Sequence, residues 1–128
     1  MKLLFDTHAF IWWDSDPSRL PARVLAACQD QENSLVLSVV SVWEMQIKSQ
    51  LGKLTLSLPL ATITERQVKT NGIQVLPATL DHVLELANLP LHHKDPFDRL
   101  LVAQAIAENA VLLTADPAIA AYSVKSLW

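Results

Sequence analysis

The sequence predicts an α/β fold in which a central, mainly parallel sheet of four or five strands is covered by helices on both faces. Three observations predict it. Short apolar runs alternate along the chain with longer helix-like segments, the order expected of a parallel sheet with crossover helices. The runs are apolar on successive residues, as strands buried on both faces require. Two of them, LLFD at 3–6 and LLTAD at 112–116, end in or just before an aspartate. In open parallel sheets the polar sites gather beyond the carboxyl ends of the strands.

Residues 2–6 (KLLFD), 34–39 (SLVLSV), 73–76 (IQVL) and 110–114 (AVLLT) read as buried strands, with a short fifth at 123–126. The first strand leads into THAF, a short helix that Asp6 or Thr7 can cap. Residues 18–31 place Leu20, Val24 and Ala27 on one helical face. A helix over 41–51 stops at Gly52, and one over 59–70 starts with Pro59 in its first turn and stops at Gly72. KLTLSLPL alternates with period two but ends in Pro59, which marks an extended connector. Helices over 79–88, 96–108 and 117–121 complete the pattern.

A chain of 128 residues, 51% hydrophobic and 18% charged, forms one domain over 1–128 with a substantial core. No apolar stretch reaches the roughly 18 residues of a membrane span, so no membrane association and a cytoplasmic location are expected. The single Cys28 excludes an internal disulfide and a cysteine-based zinc site, and its setting, VLAACQD, reads as core. Two glycines are too few for a dinucleotide fingerprint, and neither lies in a P-loop pattern. The net charge of −3 argues against a simple basic nucleic-acid surface. Bound divalent cations would invert that sign locally.

The acids repay closer reading. Asp6 ends the first strand. In SVWE at 41–44, Ser41 and Glu44 match a capping box at the helix that follows the second strand. In DPFDR at 95–99, Asp95 is an N-cap, Pro96 the first helical residue and Asp98 the third. The helix beyond Arg99 is almost wholly apolar, so it is buried all round and its first turn points a carboxylate inward. Asp116 caps a helix that starts at Pro117. Capping explains each acid singly, but not why four of them gather at one sheet edge. Unneutralised, they would cost several kcal/mol or be partly protonated. A hard divalent cation, Mg²⁺ or Mn²⁺, removes the conflict and favours phosphoryl chemistry.

LLFDTHAFIWW, SVVSVWEMQIK, HHKDPFDRLLVAQA and LLTADPAI stand in the order found in PIN-domain ribonucleases. The chain resembles the VapC-type toxins of bacterial toxin–antitoxin pairs over essentially its whole length. The resemblance implies an α/β/α sandwich, and Mg²⁺- or Mn²⁺-dependent hydrolysis of RNA phosphodiesters by activated water, with one or two ions held by Asp6, Glu44, Asp98 and Asp116. Products would carry 5′-phosphate and 3′-hydroxyl ends. It further implies homodimers and an antitoxin whose tail covers the site, often with a basic side chain among the carboxylates. Thr7 and Thr114 match hydroxyl positions near the metal or water, and Asp95 is a supporting acid.

Lys48, Lys94 and Arg99 are candidates for steering the RNA backbone. His92 and His93 read as solvated loop residues, with substrate contact or proton donation as the alternative, and His8 is similar. Of Trp12 and Trp13, at least one is expected at a dimer or antitoxin surface, since adjacent helical residues cannot both face the core, whereas Trp43 reads as core. A phosphotransfer receiver needs an acidic pair after the first strand and an aspartate after the third, where this chain has VLPATL. An aspartate-nucleophile phosphatase needs an aspartate at position 8, which is histidine. The remaining alternative is a PIN-like domain without catalysis that acts by binding.

Overall fold

The computed structural model describes residues 1–128. Five strands, β1 (Lys2–Phe5), β2 (Ser34–Ser38), β3 (Gln74–Leu76), β4 (Val111–Leu113) and β5 (Ser126–Leu127), form one sheet in the order β3-β2-β1-β4-β5. Every neighbouring pair is parallel. The helices are α1 (Thr7–Ser15), α2 (Ala22–Gln29), α3 (Val39–Gln50), α4 (Leu60–Asn71), α5 (Leu80–Glu85), α6 (Pro96–Ala107) and α7 (Pro117–Ala120). Short 3₁₀ turns occupy Pro17–Arg19 and Leu86–Asn88.

Side chains along a strand alternate between faces, and the alternation divides the core in two. Leu3, Phe5, Leu35, Leu37 and Leu113 join Ala9, Phe10, Val24, Met45 and Ile63 of α1–α4 on one face. Leu4, Val36 and Leu112 join Val102, Ala105 and Ile119 of α6 and α7 on the other. Leu101–Ala105 are buried without a break, as the apolar helix after Arg99 requires, and Ala107 alone comes to the surface at its end.

The chain first steps outward from β1 to β2 and β3, then returns to the other side of β1 to lay down β4 and β5. The direction of winding therefore reverses between β1 and β4. The helices leave the sheet on opposite faces there and open a crevice at its carboxyl edge. The register pairs Phe5 with Leu113, and the next amide, Asp6 N–H, donates to the Leu113 carbonyl at 3.0 Å. Asp6 thus stands at the head of the crevice, with Thr114 and Asp116 just beyond the end of β4.

Several predicted boundaries move, each for a local reason. The helix predicted over 18–31 is broken at Pro21, because a residue before proline is driven from helical to extended backbone, as Leu20 is (φ −81°, ψ 138°). Pro59 is the N-cap of α4 and not its first residue. The helix predicted over 79–88 ends as α-helix at Glu85 and finishes in a 3₁₀ turn. β3 was predicted as a buried strand, but it lies at the sheet edge with Gln74 and Val75 exposed. The fifth strand lies at Ser126–Leu127, later than predicted. Gly52 and Gly72 follow their helices with φ of 73° and 65°, the left-handed geometry expected of helix ends.

Cys28 is free and packed in the core, and burial pushes its thiol up to about 11. Trp12 and Trp13 are both half-buried against that core. The Trp13 indole N–H donates to Gln67 at 3.1 Å, while Trp12 packs on Trp128 and under the Arg19 guanidinium, 4.8 Å from its ring. Trp43 overturns its reading as core: it is 58% exposed and meets Phe97 edge to face at 5.0 Å. It lies one residue ahead of the buried Glu44, so the helical step of about 100° turns it outward.

Candidate functional site

Four separate segments deliver acids to the crevice. Asp6 closes β1 and is buried. It caps α1 as its sequence suggested, with Oδ1 accepting the Ala9 N–H at 2.7 Å. Burial raises its pKa, opposed by the Thr114 side chain, the Ala9 N–H and the charge of His8, and reinforced by Asp116. Asp116 caps α7 through Oδ1 to Ala118 N–H at 2.9 Å, and its own N–H donates to Thr114 Oγ1 at 3.1 Å.

Glu44 arrives differently from the sequence expectation. α3 begins two residues earlier than predicted, with Ser38 as N-cap to the Val40 N–H. The Ser41–Glu44 capping box does not form, so both residues are interior to the helix and buried. Each Glu44 oxygen has a partner. Thr7 donates to Oε1 at 2.6 Å, within hydrogen-bond distance of Ser41 Oγ at 3.1 Å. Lys48 donates to Oε2 at 2.6 Å from one turn later. That hydrogen bond is the chief cause of the raised Lys48 pKa, with Asp95 and Asp98 adding to it by charge.

Asp98 comes from the first turn of α6. Asp95 is the N-cap, as expected, taking the Phe97 and Asp98 N–H groups at 2.8 and 3.2 Å on one oxygen. Asp98 carries the largest resolved acid shift, up to about 7, first through burial and then through the charges of Asp95 and Glu44. His93 lowers it and Asp6 raises it further. The acids of β1, α3 and α6 therefore sense one another across the crevice, where burial first and neighbouring negative charge second disfavour the ionised form of Asp98.

His93 reads from the sequence as a solvated loop residue, with substrate contact or proton donation as the alternative. Its Nε2 instead lies 3.1 Å from Asp98 Oδ2 and 3.0 Å from Asp116 Oδ2. The potential ligand atoms of His93, Asp98 and Asp116 all fall within 4.8 Å of one another. No spacing rule could reveal this, since 23 residues separate His93 from Asp116. The adjacency of HHK to DPFDR was the available signal. His92 and Lys94 remain exposed. Arg99 does not turn to the acids: its Nη2 reaches the carbonyls of Leu86 and Leu89 at 3.4 and 3.2 Å, pinning the 3₁₀ turn.

A crowded set of carboxylate oxygens, one acid held partly neutral by its neighbours, suits a hard divalent cation that prefers oxygen ligands.

Comparison with known proteins agrees with this architecture. The chain is 28% identical over 117 residues to Ribonuclease VapC22 of Mycobacterium tuberculosis, spanning 89% of this chain and 86% of that protein. Its structure resembles that of a chain in VapBC2 from Rickettsia felis bound to a DNA fragment from their promoter, with a TM-score of 0.72 at 14% identity, over 99% of this chain and 98% of the other. It also resembles a chain of VapBC-1 from nontypeable Haemophilus influenzae, with a TM-score of 0.66 at 20% identity, over 99% and 97%. The PIN domain family model matches residues 3–125, which take in the first four strands save Lys2, every helix and all four acids, and the chain belongs to the PIN domain family.

Proposed function

We propose that this chain is a metal-dependent endoribonuclease, the toxin of a VapBC-type toxin–antitoxin pair. The observation that carries the reading is the convergence of Asp6, Glu44, Asp98 and Asp116 on one crevice, with Asp98 raised to about 7 by burial and its acidic neighbours. The likeness to a VapC ribonuclease supports the choice of RNA as substrate. The likeness to chains solved in VapBC assemblies supports an antitoxin partner.

In this reading Asp6, Asp98 and Asp116, with Glu44 beside them, hold one or two Mg²⁺ or Mn²⁺ ions. Such an ion, when bound, supplies Lewis acidity that activates water and offsets charge developing on the phosphate. The chain's own groups prepare that chemistry. Thr7 and Lys48 fix the two oxygens of Glu44, so the buried carboxylate keeps one orientation. Thr114 holds the turn that presents Asp116. Asp95 orders the first turn of α6 and so aims Asp98. Lys94, exposed at the mouth, and Lys48, partly exposed behind it, favour approach of the phosphate backbone. Hydrolysis by water leaves 5′-phosphate and 3′-hydroxyl ends. We assign the chain to the cytoplasm, as a homodimer whose crevice is closed by the antitoxin tail.

Cleavage of an end-labelled mixed RNA pool by purified, antitoxin-free protein tests this, in Mg²⁺, in Mn²⁺ and in EDTA, beside Asp6→Asn. Cutting should require the ion, disappear in the variant and yield 5′-phosphates. Asparagine can still cap α1, so lost activity would reflect the lost charge. A 2′,3′-cyclic phosphate product would replace the metal mechanism with catalysis through the ribose hydroxyl. A folded protein that cuts nothing would favour a PIN domain that acts by binding.

A further inference from the structure

His93 makes more precise contacts than any other histidine near the crevice. Its backbone N–H donates to the Tyr122 hydroxyl at 3.0 Å. Its ring Nδ1 accepts the Asp95 N–H at 3.0 Å. Its Nε2 faces one oxygen of Asp98 and one of Asp116, at 3.1 and 3.0 Å. A peptide N–H can only donate, so Nδ1 presents a lone pair to Asp95. A ring nitrogen that accepts carries no proton, so the proton of the neutral ring sits on Nε2. That N–H donates to Asp116 Oδ2 at 3.0 Å, and Asp98 Oδ2 lies beside it, 3.1 Å from the same nitrogen.

A nitrogen that bears a proton has no lone pair for a cation. Ligation through Nε2 would require moving the proton to Nδ1. That would break the Asp95 bond and strip a partner from an amide at the start of α6. The arrangement therefore opposes ligation and favours a positioning role. Its hydrogen bond fixes the acid beyond β4 while the ring nitrogen lies against the acid of α6, two segments on the same side of the crevice. The two outer oxygens meet at one uncharged ring nitrogen, which adds no net charge. Each Asp116 oxygen accepts one hydrogen bond and keeps a second lone pair for the cation, and the Asp98 carboxylate accepts none.

We propose that His93 is a positioning residue, a neutral hydrogen-bond donor that holds Asp116 beside Asp98 and is not itself a ligand of the ion. This rests on the metal reading given above. It assigns the cation an all-oxygen protein shell, and it makes Tyr122, through the loop it anchors, part of the support.

Three readouts test it without reference to nuclease activity. Long-range ¹H–¹⁵N spectra of the metal-free protein, taken near pH 8 so that ordinary imidazoles are neutral, should show His93 as the Nε2–H tautomer. The Nδ1–H tautomer would overturn the proposal. In Mn²⁺ titrations followed by electron paramagnetic resonance, His93→Ala should weaken binding about tenfold, the scale of losing a group that orients metal ligands. His93→Gln, whose amide offers an N–H in nearly the same place, should recover part of the loss. Unchanged affinity in His93→Ala would overturn the proposal. In pulsed spectra of Mn²⁺-loaded wild type, the coupling of a directly bound imidazole nitrogen should be missing, and its presence would overturn the positioning role while leaving the metal reading intact. Wild type that binds no Mn²⁺ would overturn the metal reading, and this inference with it.

Discussion

Asp98 shows how a residue suited to binding works against the fold that carries it. Its carboxyl titrates near 7 in the folded chain, against 3.8 for the ordinary group. Between those values the folded chain holds a proton that the unfolded chain has released. The contribution of this group to stability is therefore fully present below the ordinary value and is lost as pH rises through about 7. The sign is opposite to that of a salt-bridged carboxylate. The metal-free protein should lose a few degrees of melting temperature from this group between about pH 4 and pH 7, and Asp98→Asn should flatten the decline. Mg²⁺ should restore the loss at the upper end, since an ion that binds only the folded chain stabilises it by mass action. An equal decline in the variant, read by calorimetry without metal, would show that Asp98 is not the group responsible. At this scale the sequence was legible at three caps: Asp6, Asp95 and Asp116 each cap the helix that their local pattern named. His93 was not legible, because its partners Asp98 and Asp116 reach it only after α6 and β4 have packed.

Among the elements, α3 separates local signal from long-range outcome. Ser38 lies at the end of β2, caps α3 and also bonds to Gln104 on α6, so the helix starts where sheet and α6 meet. That shared contact overrides the Ser41–Glu44 box, which is equally good as a local pattern. The consequence is functional: Ser41 and Glu44 face inward together, where Thr7 can reach both. The same helical phase sends Met45 into the core and Trp43 out of it. Met45→Ala should cost about 2–5 kcal/mol, as a buried methionine does, whereas Trp43→Ala should cost about 1 kcal/mol, the worth of an exposed aromatic pair. Urea unfolding of the two variants separates these. Equal costs would mean that Trp43 is buried in solution, in the monomer or between subunits. β3 repeats the lesson. An apolar run marked it as a strand, but only its place at the sheet edge decides that Gln74 and Val75 meet solvent.

Across the whole molecule, one sheet serves both cores. Leu3, Leu4 and Phe5 alternate between them from a single central strand, so neither face can lose its packing without the other. Residues 1–128 should therefore unfold as one domain in a single transition, with calorimetric and van't Hoff enthalpies in agreement. Two separable transitions would refute a single domain. The sequence by itself determined the alternation of strands and helices, the parallel class of the sheet, the aspartate caps and the helix-ending glycines. Each of these depends on backbone geometry within a few residues, or on an apolar face that must be buried somewhere. Only the tertiary structure decided the strand order, the pairing of Glu44 with Lys48 and Thr7, the withdrawal of Arg99 to the Leu86 and Leu89 carbonyls, the exposure of Trp43 and the seat of His93 between two acids. These depend on which distant segments come into register. The reversal of winding between β1 and β4 brings Asp6 and Asp116, far apart in the chain, to one edge. Packing of α6 against that edge then sets which of their neighbours can touch.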